Sequence, residues 1–300
     1  VTVEAPLDRL SPLFERFRVR ASLFHAGPLC GVTHFDARPG RGFLHVMRKG
    51  EMQIRHAGGS GLVACIAVRE PSLVFYPRPL AHDFHNAPAE GSDFVCATLD
   101  FDAGEAHPLV QALPPLVVLP LARVDGIAAT LALLFAEAER VRCGQRLLAD
   151  RLFEVLLLQL LRWMLDQRDA ALPLGLLRGL SDPRLARALT ALHARPGEAW
   201  SLEGMAAAAG MSRSRFALAF KEAVGQTPAD YLSHWRLAIA RGELRTGKPL
   251  KALAAELGYA NASALSRRFT QQTGQSPRAW LHLIKIADPT PRPSPTQTGC

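Results

Sequence analysis

The chain has 300 residues, just under half of them apolar, with 35 basic and 27 acidic side chains and a net charge of +8. That length suggests two domains of ordinary size with real cores, and no apolar run approaches the ~18 residues that a membrane-spanning helix needs. Five scattered cysteines with no CxxC argue against a structural zinc and against a disulfide framework, and so for a reducing compartment.

The opening "VTVEAPLDRL" lacks the basic segment and apolar stretch of a secretory signal, so a cytoplasmic chain is expected. Residues ~20–120 alternate short apolar runs with Gly, Pro and Asn punctuation, as in "GFLHVMRKGEMQIRHAGG", "PSLVFYPRP" and "DFVCATLDF", the pattern of a β-sandwich or barrel. From ~123 the apolar spacing becomes i, i+3, i+4, which predicts a helical hairpin over 125–142 and 147–167 with Gly144 between the helices. Its run "LFEVLLLQLLRWML" (152–165) is too short to span a bilayer and reads as a core or interface helix.

"RDAALPLGLLRGLSDP", with two prolines and two glycines, reads as a linker. Everything beyond reads as helix up to a Pro/Thr-rich tail expected to be disordered. The expected division is therefore 1–167, a linker at 168–182, an all-α domain at 183–286 and a tail at 287–300.

The excess charge sits in one place. From Pro183 to Ile286 there are 15 basic and 6 acidic residues, a balance of +9; the remainder holds 35−15 = 20 basic and 27−6 = 21 acidic, a balance of −1. Such asymmetry points to an acidic polymer as partner of the last third, or to chance clustering in an arginine- and alanine-rich chain.

An internal repeat decides between these. "LEGMAAAAGMSRSRFALAFKEAVGQTPADYL" matches "LKALAAELGYANASALSRRFTQQTGQSPRAWL", with Gly210/Gly258 offset by 48, and Ser212/Asn261, Phe220/Phe269 and Pro228/Pro277 offset by 49. Each copy begins with an alanine-rich helix (202–209, 250–257) ended by a glycine suited to the left-handed C-cap. Ser212 and Asn261 are N-cap types for the next helix. That helix carries an apolar stripe (Phe216, Phe220; Leu265, Phe269) and a polar N-terminal face, which makes a helix-turn-helix. Thr227-Pro228 and Ser276-Pro277 each start a further helix. Two units on one chain could enter successive major grooves ~34 Å apart, as a dimer of single units does.

On these two segments the last ~105 residues resemble the DNA-binding domain of the AraC/XylS family of bacterial transcription regulators, and residues 1–~165 resemble the cupin-type sensor of one subgroup. The resemblance implies a multidomain α+β chain: an N-terminal cupin-like β-barrel with a helical hairpin, then two helix-turn-helix units. It implies double-stranded operator DNA as partner, RNA polymerase too if the chain activates, a homodimer, no membrane, and a small-molecule or oxidant effector.

Bases in the family are read from the first turns of each second helix. By position these are Ser212, Arg213, Ser214, Arg215, Ala217 and Leu218, then Asn261, Ala262, Ser263, Ser266 and Arg267. Arginine can reach guanine O6 and N7 bidentately, which makes Arg267 the strongest reader. Arg213 and Arg215 contact phosphate or base. Leu218, where a polar reader is common, touches a thymine methyl or is simply packing.

"PRPLAHDFHN" (77–86) fits the second cupin motif with Pro79 in place of the glycine, but "FDARPGRGF" (35–43) lacks the H-x-H and Glu that complete a metal site. No metal, cofactor or catalytic residue is therefore expected. His82 and His85 face a ligand cavity or are turn residues at a strand end. Cys96, at a position similar to one in reactive-chlorine-sensing members, and Cys30 are redox candidates or ordinary core and turn residues.

The hairpin residues Leu152, Val155, Leu156, Gln159, Leu160 and Trp163 resemble the family's dimerisation element, or pack on the barrel. Two rival readings stand beside the regulator: a degenerate, metal-independent cupin enzyme fused to a DNA-binding module, and a nonspecific architectural DNA binder.

Overall fold

The computed structural model describes residues 7–86, 92–167, 172–287 and 296–298. They form two compact units.

The first unit is antiparallel β. Its strands are β1 (Val19–Leu29), β2 (Gly31–Phe35), β3 (Arg41–Lys49), β4 (Met52–Arg55), β5 (Cys65–Val68), β6 (Ser72–Tyr76), β7 (His82–Asn86), β8 (Ser92–Phe101), β9 (Val117–Pro120) and β10 (Thr296–Thr298). One sheet runs β1-β8-β3-β6-β9 and the other β10-β2-β7-β4-β5. Alternation decides which side chains meet between them. In β7, His82, Phe84 and Asn86 are buried while Asp83 and His85 are partly exposed. The inward residues Phe35, Phe43, Met52, Ile54, Tyr76, Phe84 and Phe94 make one core. β10 corrects the expectation for part of the tail: Thr296 pairs with His34 and Thr298 with Val32.

The helices, in chain order, are α1 (Ser11–Arg16), α2 (Pro108–Ala112), α3 (Ala128–Glu139), α4 (Gln145–Asp166), α5 (Leu176–Ser181), α6 (Pro183–Ala194), α7 (Leu202–Ala208), α8 (Arg213–Val224), α9 (Pro228–Arg245), α10 (Leu250–Glu256), α11 (Ala262–Thr273) and α12 (Pro277–Ala287). α3 and α4 are the expected hairpin. α4 lies along β1, where Asp150 accepts the Leu23 N–H at 2.6 Å and Glu154 that of Ala21 at 3.4 Å.

The second unit is helical, and it includes more of the chain than expected. Residues 7–18 belong to it: Phe17 packs edge-on to Trp235 at 4.9 Å between ring centroids, and Arg9 donates to the Leu180 carbonyl at 3.1 Å. The expected linker also contains α5, whose Leu176, Leu177 and Leu180 are buried. The leucines outweigh the glycines there. Gly179 is where α5 comes closest to its neighbours, since a Cβ would stand 2.8 Å from Leu189 and 2.9 Å from Val224.

Candidate nucleic-acid interface

The two copies of the repeat fold alike, α7–turn–α8 and α10–turn–α11. Gly210 and Gly258 take φ of +64° and +72°, the left-handed region that only glycine enters freely. Past each glycine the chain turns back on its helix: Met211 N–H donates to the Ala206 carbonyl at 2.9 Å and Tyr259 N–H to that of Ala254 at 2.8 Å. Phe216 and Phe220, and Leu265 and Phe269, are fully buried, so the opposite faces of α8 and α11 are turned outward. Thr227 and Ser276 cap α9 and α12 through the N–H groups of Asp230 and Ala279.

The N-terminal caps of α8 and α11 differ. Asn261 accepts the Ala264 N–H at 2.9 Å. Ser212 stands at the N-cap in extended conformation, but its side chain makes no cap bond, which corrects that expectation. Arg213 forms an ion pair with Glu203 of α7 at 2.5 Å. Arg267 is exposed and has no ion pair or hydrogen bond among the described residues. Ser214, Arg215 and Ser263 are exposed, and Ala217, Ala262 and Ser266 half-buried. Leu218, opposite Arg267 in the repeat, is 62% exposed, so it is not core packing in this chain.

The β unit holds the other candidates, and sequence reasoning missed the most unusual of them. His45 on β3 is fully buried, with Nε2 3.1 Å from Nε2 of His82. His82 Nδ1 faces the Leu80 carbonyl at 2.9 Å and must donate to it, leaving Nε2 as an acceptor for His45. His45 Nδ1 is then a lone pair without a partner among the described residues. Phe35, Phe43 and Phe84 pack around the pair, and Tyr76 stacks on His82 at 4.0 Å. Burial pushes the His82 imidazole down to about 3 and His45 well below the ordinary range, the latter pressed further by His82. Both are neutral at pH 7. Among the described residues, no group of three or more His, Cys, Asp or Glu is placed to hold a metal ion.

His85 points to the other face of β7. It lines a cleft of about 390 Å³ with Glu51, Gln53, Arg69 and Asn86, whose buried amide has no partner among the described residues. The two redox candidates are not free, accessible thiols. Cys30 is disulfide-bonded, one bond rather than the disulfide framework that the scattered cysteines argue against. Cys96 is fully buried, and burial pushes its thiol up, away from the reactive thiolate.

Comparison with known proteins separates the same two parts. A cupin family model matches residues 8–166, more than half of the chain, and a helix-turn-helix domain model matches 205–282. An AraC-like transcription regulator of Streptomyces antibioticus is 38% identical over 172 residues, 56% of each chain. The match thus spans little more than half the length of that relative. The RCS-specific HTH-type transcriptional activator RclR of Escherichia coli is 24% identical over 249 residues, 82% of this chain and 86% of that one. Among solved structures, the DNA-binding domain of AdpA in complex with a target DNA is 27% identical, covering 34% of this chain and 92% of that one, with a TM-score of 0.32.

Proposed function

From a chain that belongs to the AraC-type regulators with an N-terminal cupin domain, we propose a sequence-specific transcription regulator that reads operator DNA with α8 and α11 and senses a small molecule through its β unit. The observation that carries the reading is the pair of outward polar faces on a two-fold internal repeat, each backed by buried aromatic or leucine anchors. Base-edge reading is assigned chiefly to Arg267, Ser263 and Ser266, and to Ser214, Ala217 and Leu218. Arg213 and Arg215 hold phosphate and set the orientation of α8.

The effector reading rests on the β unit's polar cleft and on its buried imidazole pair. A small polar molecule is favoured over an oxidant acting on Cys96, whose thiol is fully buried. No catalytic role is assigned. A homodimer is proposed through α3 and α4, with a revised face. Leu156 and Leu160 are buried in their own unit, whereas Leu133, Leu147, Leu148 and Val155 remain exposed.

Selection of binding sites from randomised duplex DNA by the full chain, with and without candidate effectors, tests the proposal. A bipartite consensus supports it, and equal affinity for selected and random DNA at physiological salt overturns it in favour of an architectural binder.

A further inference from the structure

Two arginines occupy matching places in the repeat but bind different things. Arg187 of α6 and Arg236 of α9 are 49 residues apart, the same offset as Leu218 and Arg267. Each brings a guanidinium nitrogen against its unit's turn glycine. A Cβ on Gly210 would stand 3.3 Å from Arg187 Nη2, and one on Gly258 3.2 Å from Arg236 Nη2. Arg187 then donates to the carbonyl of Ala209, in its own unit's turn, at 3.1 Å.

Arg236 reaches across instead. Its Nε donates to the Pro196 carbonyl at 2.7 Å and its Nη2 to that of Glu198 at 2.8 Å, and the guanidinium lies over the Tyr259 ring at 5.8 Å. Pro196 and Glu198 belong to the loop between α6 and α7, the lead-in to the first helix-turn-helix. Tyr259 belongs to the turn of the second.

The backbones close the same gap. A Cβ on Gly197 would lie 2.2 Å from the Glu256 carbonyl oxygen, and one on Gly258 2.3 Å from that of Gly197, so both positions exclude any side chain. The loop is stiff as well: Trp200 Nε1 donates to the Arg195 carbonyl at 2.9 Å, and Arg195 pairs with Glu198 at 3.0 Å. About one turn earlier on α9, Ser233 accepts from Arg268 of α11 at 2.7 Å.

We propose that Arg236 and the Gly197–Gly258 backbone contact form a strut that holds the two reading helices at one separation and rotation, making Arg236 a positioning residue for half-site spacing. A forked guanidinium can hold two carbonyls and a ring face together, which a single ammonium cannot. The strut transmits no sequence information itself. It makes the second helix arrive in register only when the half-sites are correctly spaced.

The inference rests on the reading that both α8 and α11 contact DNA, and the test separates the two ideas. The probe is the bipartite duplex selected by the full wild-type chain, with a few base pairs inserted or deleted between its halves. Wild type should bind displaced spacings at least ~10-fold more weakly than the selected one. Arg236→Met and Gly197→Ala should flatten that profile while keeping affinity for an isolated half-site and the same base preferences. A thermal melt of each variant confirms that it is folded. Failure of wild type to select any sequence defeats the DNA reading itself. A wild type indifferent to spacing, or folded variants with an unchanged spacing profile, overturns the strut alone.

Discussion

The two helix-turn-helix units share a backbone plan and differ in how they dispose of their polar groups. In the second, Asn261 caps α11 and Arg267 has no protein partner among the described residues. In the first, Ser212 leaves α8 without a side-chain cap, Glu203 holds Arg213, and Leu218 stands exposed where the copy has Arg267. The second unit thus offers a pre-set helix with a free bidentate donor. The first offers an apolar tip and an arginine that must leave an ion pair to reach DNA. The packing positions are apolar in both copies while the outward faces differ, and on the proposed reading the second helix-turn-helix takes the more demanding bases.

The largest expected effect tests whether the cores are as alike as they look. Phe220→Ala and Phe269→Ala each empty a fully buried ring site and should cost about 3–5 kcal/mol. Denaturant melts should show near-equal losses; a much cheaper Phe269→Ala would mean that α11 is loosely seated.

Acid should then separate the units. Burial drives His193, on α6, down to about 3, stacked on Trp235 at 3.8 Å and bonded to the Tyr231 hydroxyl at 2.6 Å. The second helix-turn-helix, α10–turn–α11, has no buried histidine. Between pH ~6.5 and ~3 the unfolded chain binds a proton at His193 that the folded chain does not, so stability falls with falling pH, by at most about 1.4 kcal/mol per pH unit. Amide exchange should show α6 and α9, the two helices that His193 joins, losing protection before α10 and α11. His82, also lowered to about 3, predicts the same direction for the β unit.

At the DNA, Arg267→Ala should cost about 1–3 kcal/mol and relax preference at one base pair, and Leu218→Ala distinctly less. Competition binding against a panel of single-base variants measures both, and a uniform loss across all sequences would make Arg267 a phosphate contact instead. The smallest difference concerns the caps. Asn261→Ala should destabilise by about 1 kcal/mol, while Ser212→Ala should leave the melt unchanged, since that hydroxyl bonds nothing in the helix.

Much of this was legible because it is local. Glycine at 210 and 258, N-cap types after it and aromatic anchors beyond are short-range requirements, and the second copy removes the ambiguity of the first. What escaped depends on the partner across a gap. Ser212 has the right residue type for a cap bond that the fold does not use. His45 sits in "GFLHVM", where every residue from Gly42 to Met47 is buried, so alternation does not mark which side chains meet His82. The linker was assigned from its prolines and glycines, and the leucines that seat α5 became decisive only against α6 and α8. The place of Arg236 is not legible in the sequence, because nothing in its own neighbourhood shows that Pro196 is near.

The carboxylates of α4 carry a last consequence. β1 is an outer strand of its sheet, and the N–H groups of Ala21 and Leu23 are taken by Glu154 and Asp150. A strand from another molecule arriving at that margin meets bonded amides and two acidic side chains, so annexation there is blocked. At that margin any self-association falls to helix surfaces, whose contacts are side chain on side chain and can be released without breaking a sheet.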